Sequence, residues 1–149
     1  MQDIVFRSVS VNEEEDIVSE KIRNISLKLR KGEYDLDEIA PYGRLGKAQY
    51  QNVPPMAARG MIYYNENLDP TETFRVGEKG QWIYVSETPE GMPHSMSVAF
   101  RDSEEIKDFT VDYSICVEKF IRSKIDTIYK ELGWDLPYAC GDKTPKKYW

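Results

Sequence analysis

The sequence predicts an α+β fold, mainly helical with a small antiparallel sheet. Three observations carry this. Two long stretches repeat apolar residues every three or four positions, as one face of a helix requires. Between them lies a β-prone run, Gln81-Trp82-Ile83-Tyr84-Val85, among Gly- and Pro-rich connections. The strand and helix signals do not alternate as βαβ units, which disfavours a doubly wound nucleotide-binding fold.

The first helix is expected from about Asn12, a suitable N-cap, with Glu13, Glu14, Glu15 and Asp16 at the positive end of the helix dipole. Val18, Ile22, Ile25 and Leu29 form its apolar stripe, Lys28, Arg30 and Lys31 fill its last turn, and Gly32 stops it. A connection with a short acidic helical turn follows over residues 33–41, then an irregular stretch over 42–52. Pro54-Pro55 opens a second helix that runs to about Asn67. Its small residues Ala57, Ala58 and Gly60 permit close approach to a neighbour, flanked by Tyr63 and Tyr64. Phe74-Arg75-Val76 and residues 81–85, separated by Gly77-Glu78-Lys79-Gly80, read as a hairpin or as a strand entering a small barrel-like sheet. Residues 86–93 read as a loop, 95–100 as a third strand and 102–108 as a solvated turn. The last helix is expected from about Asp112 to Leu132, with Val117, Ile121, Ile125, Ile128 and Leu132 inside and Gly133 as its stop. One domain is expected over residues 1–136, with a loose tail over 137–149.

A chain of 149 residues can close one core, and ten tyrosines and three tryptophans supply the buried area that argues against disorder. No apolar run approaches the roughly 20 residues of a membrane span, and the N-terminus has no apolar signal core. We therefore expect a cytoplasmic protein without membrane contact. Two distant cysteines and a single histidine make neither a disulfide framework nor a zinc site, and Cys116 reads as a buried structural thiol. Catalytic constellations are incomplete. His94 lies in a Pro-Gly loop, Asp35 and Asp37 read as a solvated turn, and no phosphate-binding glycine loop occurs.

The formal net charge is −6, which by itself speaks against nucleic-acid binding. The charges are segregated, however. No acid lies between Glu38 and Glu66, while Arg44, Lys47 and Arg59 do, and one cationic face suffices to hold phosphates.

Several motifs, taken in order, carry a family resemblance. Leu29-Arg30-Lys31-Gly32-Glu33-Tyr34-Asp35-Leu36-Asp37-Glu38-Ile39 is followed by Arg44-Leu45-Gly46-Lys47, by Tyr50, and by Val53-Pro54-Pro55-Met56-Ala57-Ala58-Arg59. Arg75-Val76-Gly77-Glu78-Lys79-Gly80 and Trp82-Ile83-Tyr84-Val85 come next, and Val111-Asp112-Tyr113 introduces the helix ending Leu132-Gly133-Trp134. Over about residues 16–136 this order resembles the thumb, the C-terminal region, of B-family DNA polymerases, archaeal ones especially. Met56 stands where that family commonly has histidine. The palm motifs, Tyr-Gly-Asp-Thr-Asp among them, are absent.

The resemblance implies a thumb-like fold that grips primer–template duplex DNA by its backbone without reading sequence, a task suited to Lys and Arg contacts. It implies DNA-backbone contacts from Arg44, Lys47, Tyr50 and Arg59, with Arg75 and Lys79 in support. Such a chain would not catalyse alone and would need no cofactor. Mg²⁺ would sit in a separate catalytic polymerase chain, met near residues 1–30. The chain would be the small polypeptide of a split polymerase or an excised domain. The tail Lys143-Thr144-Pro145-Lys146-Lys147-Tyr148-Trp149 is only weakly similar to a sliding-clamp peptide. A non-enzymatic protein-interaction module that does not bind DNA is the alternative.

Overall fold

The structure, a computed structural model, describes residues 15–142. In chain order the elements are α1 (Glu15–Arg30), α2 (Leu36–Ile39), β1 (Tyr42–Arg44), α3 (Met56–Asn67), β2 (Lys79–Glu87), β3 (Ser97–Phe100), a 3₁₀ turn (Ser103–Ile106), β4 (Thr110–Val111), a long helix α4 and α5 (Leu136–Ala139). Helix α4 comprises Tyr113–Cys116, a π-helical segment Val117–Arg122, and Ser123–Leu132. The fold is α+β, as the sequence predicts. The chain divides into two compact units, residues 15–35 with 113–142, and residues 36–112.

In the first unit, α1 carries Glu15 and Asp16 in its first turn and Lys28 and Arg30 in its last, complementing the helix dipole. The expected cap, Asn12, lies outside the described residues. Gly32 ends the helix at φ 70°, its N–H bonding Leu29 O while the Glu33 N–H bonds Lys28 O. This pair of bonds is the Schellman arrangement, for which glycine pays no Cβ penalty. Val18, Ile22 and Leu29 are buried as expected, but Ile25 is only half-buried. Ser19 and Ser26 complete the buried face instead. The Ser19 hydroxyl lies 2.9 Å from that of Tyr129, and Ser26 Oγ donates to Ile22 O (2.9 Å) and Ala139 O (3.0 Å). These partners offset the desolvation of the two serine hydroxyls in the core.

Helix α4 buries Cys116, Val117, Ile121, Ile125 and Tyr129. Ile128 and Leu132 do not join them, and Leu132 is exposed. A repeat of four drifts around an α-helix of 3.6 residues per turn, and the wider π turn corrects that drift over Val117–Arg122. The stripe thus continues at Tyr129 rather than moving on to Ile128. Gly133, at φ 69°, stops the helix with a second Schellman pair, Gly133 N to Lys130 O and Trp134 N to Tyr129 O.

Residues 137–142 pack with these helices, so the loose tail expected from residue 137 does not begin there. Ala139 and Cys140 are fully buried, and burial pushes the Cys140 thiol up to about 11. Arg23 donates to Tyr138 O (2.7 Å), Arg30 to Cys140 O (2.9 Å), and the Asp142 carboxylate bridges Arg30 and Arg122.

In the second unit, β2 is the central strand of a four-stranded antiparallel sheet of order β1-β2-β3, with β4 also pairing with β2. The Trp82 N–H goes to Pro41 O and the Asp112 N–H to Tyr84 O, whereas the Val85 N–H goes to Met96 O. Thus β1 and β4 lie along one side of β2, and β3 along the other. Helix α3 covers one sheet face through Ala57, Gly60, Met61 and Tyr64. A Cβ on Gly60 would meet the backbone of Val98 and Ala99 at 3.0–3.3 Å, so the glycine allows this close approach.

The hairpin expected from Phe74 does not form. The Phe74 N–H and C=O are both taken by the Asn65 side chain (2.8 and 3.0 Å), and Glu78 N bonds Arg75 O to close a turn. The Phe74 ring packs instead over Gly80 and against Tyr64, 5.0 Å between ring centres. β1, within a stretch expected to be irregular, is an edge strand.

Candidate functional site

Where β1 meets β2, the register sets Tyr42 opposite Gln81, Gly43 opposite Gly80 and Arg44 opposite Lys79. Side chains alternate across a strand, so Gly43 faces one way and Tyr42 and Arg44 the other. The Gly43 face is the one that α3 covers, since a Cβ there would lie 2.4 Å from that of Ala57. Tyr42, Arg44, Lys79 and Gln81 therefore share the opposite face. Arg44 and Lys79 are exposed and directly paired, an arrangement of like charges that destabilises a sheet. An anion between them would relieve it.

A turn holds this corner in place. Arg44 Nη1 donates to Gly77 O (3.0 Å), Gly77 N to Leu45 O (2.6 Å) and Leu45 N to Glu78 O (3.4 Å). Arg75 is exposed on the same turn. Glu78, the turn's own acid, is engaged elsewhere: Arg101 Nη1 donates to its Oε2 (2.7 Å) and the Arg75 N–H to its Oε1 (3.0 Å). These bonds, Arg101's first, hold the Glu78 carboxyl below its ordinary range. Among the described residues, no ion pair joins Arg44, Lys47, Arg75 or Lys79 to a carboxylate.

Arg101, absent from the sequence-based candidates, is the turn's anchor. Besides Glu78, its guanidinium bonds Glu72 O (3.1 Å) and Thr73 O (2.9 Å) and lies 4.3 Å from the centre of the Phe74 ring. Its own backbone is fixed from below. Glu105 Oε1 accepts the N–H groups of Arg101 (2.8 Å) and Asp102 (2.9 Å), closing a capping box at the 3₁₀ turn, while Oε2 accepts the Tyr64 hydroxyl (2.5 Å). Desolvation opposes ionisation of Glu105, but the hydrogen bonds from Tyr64 and from the Asp102 and Arg101 backbone together outweigh it and lower its pKa.

Burial first, and then Glu105, push the Tyr64 phenol up to about 12 from an ordinary 10.0. A raised pKa means that the fold favours the protonated phenol. Its contribution is intact below pH 10 and is lost as pH rises towards 12, a span worth about 2–3 kcal/mol. We expect urea midpoints to fall over this range in the wild type and to fall less in Tyr64→Phe. Parallel curves for the two proteins would contradict the assignment.

The six residues singled out by sequence fare differently. Arg44 and Lys79 are register partners, and Arg75 sits on the turn that binds Arg44. Lys47 is exposed just beyond β1, its Nζ 5.8 Å from the centre of the Tyr50 ring. Tyr50 is half-buried and its hydroxyl accepts the Gly46 N–H (3.1 Å), leaving the hydroxyl proton available to an acceptor. Arg59 is not brought to this corner. It lies two positions from Ala57 and Met61, hence on the side of α3 turned away from the sheet, whereas Arg44 and Lys79 project from the far sheet face. A single cationic face made by Arg44, Lys47 and Arg59 does not exist.

Tyr42, also missed by sequence, is 62% exposed, and the Lys79 ammonium lies 4.9 Å from the centre of its ring. The alternation in Tyr42-Gly43-Arg44 is the signal that marks it as a neighbour of Arg44. His94 is exposed in its loop, and Asp35 and Asp37 are exposed about α2. No group of three or more metal-ligating side chains occurs among the described residues. No helix among them is long and apolar enough to cross a membrane. Lys143, Lys146 and Lys147, with the rest of the expected clamp-binding tail, lie outside the described residues.

The corner can hold anions and offers an aromatic surface beside them. No protein-family model matches the chain, and no curated protein matches it.

Proposed function

We propose that the chain is a non-catalytic thumb module that grips duplex DNA by its phosphates and supports synthesis by a separate catalytic polymerase chain. The observation that carries this reading is the direct pairing of Arg44 with Lys79 on an exposed sheet face, next to an acid whose charge is engaged by Arg101. The ordered motif resemblance supports it as well. Lys47, Arg75 and the Tyr50 hydroxyl extend the same grip, and Arg59 takes no part in it. The working place is the cytoplasm, where the DNA substrate lies. Mg²⁺ chemistry belongs to the partner chain.

Phosphate contacts release counterions, so affinity must fall with salt. Three contacts give a log–log slope near −2.7, or roughly a 40-fold loss for a fourfold rise in salt. We expect duplexes of unrelated sequence to bind equally and to show this slope by fluorescence anisotropy. A chain that binds no duplex even at low salt would be a protein-interaction module instead.

A further inference from the structure

Tyr42 gives the cationic corner a chemistry that phosphate binding does not need. A tyrosine that stays 62% exposed on a sheet face is costly to solvate, and its register partner Gln81 and its strand neighbour Arg44 are polar. Gln81, directly opposite, turns its amide to Asp37 O (3.0 Å) and Ala40 O (3.1 Å), so it does not cover the ring. The Lys79 ammonium stands over the ring, and exposure this large leaves an open π surface. Two residues along the strand, about 7 Å away, stands Arg44. Its guanidinium is oriented by Gly77 O, and its backbone is paired with that of Lys79 across the register. An open aromatic surface at one strand position and paired cations at the next are the two elements by which proteins hold unpaired strands. Bases stack on the rings and phosphates pass between the charges. In a blunt duplex the bases stack on one another and offer Tyr42 no face along the helix.

We infer that the Tyr42–Arg44–Lys79 corner takes an unpaired nucleotide of a nucleic-acid strand, its base stacked on Tyr42 and its phosphate held between Arg44 and Lys79. This rests on the backbone-gripping reading above and adds base-dependent binding of single strands to it.

The test is fluorescence anisotropy of the full chain with four probes of equal length: an oligothymidylate, an abasic strand, an oligouridylate and a blunt duplex. The wild type is expected to bind oligothymidylate more tightly than the abasic strand. Tyr42→Ala is expected to weaken oligothymidylate binding roughly 5- to 150-fold, the range that about 1–3 kcal/mol per base–aromatic stack corresponds to, while leaving the abasic strand and the duplex unchanged. Tyr42→Phe, which keeps the π face, is expected to bind as the wild type does, and Tyr42→Leu, which keeps bulk alone, as the alanine variant does. Tighter binding of either oligothymidylate or oligouridylate, with the same dependence on Tyr42, upholds the inference and assigns DNA or RNA as the source of the strand. Affinity for neither oligothymidylate nor oligouridylate above that for the abasic strand, or a Tyr42→Ala variant that binds both normally, overturns it. If duplex binding persists in that case, the backbone reading stands alone. Binding to none of the four probes overturns both.

Discussion

Arg101→Ala is expected to lower the stability of the unit spanning residues 36–112 by about 1–2 kcal/mol and to weaken DNA binding, although Arg101 itself touches no DNA in this scheme. The size follows from what the guanidinium holds. It satisfies two carbonyls, Glu72 O and Thr73 O, neutralises Glu78 and lies over the Phe74 ring. Hydrogen bonds to charged groups contribute about 1.5–3 kcal/mol when shielded from water, and these are exposed, so each contributes less and the freed carbonyls turn to water. The segment is irregular, so no strand ladder replaces these bonds. Without Arg101, the Glu78 carboxylate is also released beside Arg44 and Lys79, where it would compete with phosphate. Arg101→Lys separates the two effects. Lysine keeps a charge for Glu78 but cannot serve the two carbonyls at once with a single ammonium, so partial rescue of affinity with little rescue of stability is expected. Urea unfolding followed by fluorescence of a variant that keeps Trp82 alone, with Trp134 and Trp149 replaced by phenylalanine, and duplex anisotropy below the unfolding range check both parts. An Arg101→Ala protein as stable as the wild type would remove the anchoring role.

Arg101 has no sequence signal because periodicity finds only elements whose side chains meet a uniform core. The apolar stripe of α1 and its Gly32 stop are of this kind, as are the Pro54-Pro55 entry to α3 and the β2 strand. Periodicity fails where one specific polar partner decides. Phe74-Arg75-Val76 has strand composition, but the Asn65 amide takes the Phe74 backbone groups and Arg101 ties the loop beside it, so no ladder forms. Ser19 and Ser26 look like breaks in the stripe of α1 until Tyr129 and Ala139 supply their partners. In α4 the π segment changes which residue follows Ile125 inward, and no local composition announces it. The candidate site divides in the same way. The cations Arg44 and Lys79 are legible as residues, but only the β1–β2 register makes them neighbours. That same register, with α3 on the other face, removes Arg59 from the group.

The register also fixes what a charge-removing double variant must do. Arg44→Gln with Lys79→Gln is expected to weaken duplex binding roughly 10- to 100-fold at low salt and to make the log–log salt slope shallower by about 0.9, for the one phosphate that the pair shares. Folding stability should move the other way. Like charges directly opposite on paired strands destabilise by about 0.2–1 kcal/mol, so the neutral pair should be as stable as the wild type or slightly more so. Opposite signs in the two measurements are what distinguish a binding surface from a structural one. A pair of residues needed for the fold loses stability and binding together, whereas cations kept for a ligand cost stability until the ligand arrives. Arg59→Gln is the matched control, one charge removed from the far side of α3, and should leave the slope within error of the wild type. Should the double variant keep the wild-type slope while Arg59→Gln lowers it, the DNA would lie along α3 and the β1–β2 corner would have no part in holding it.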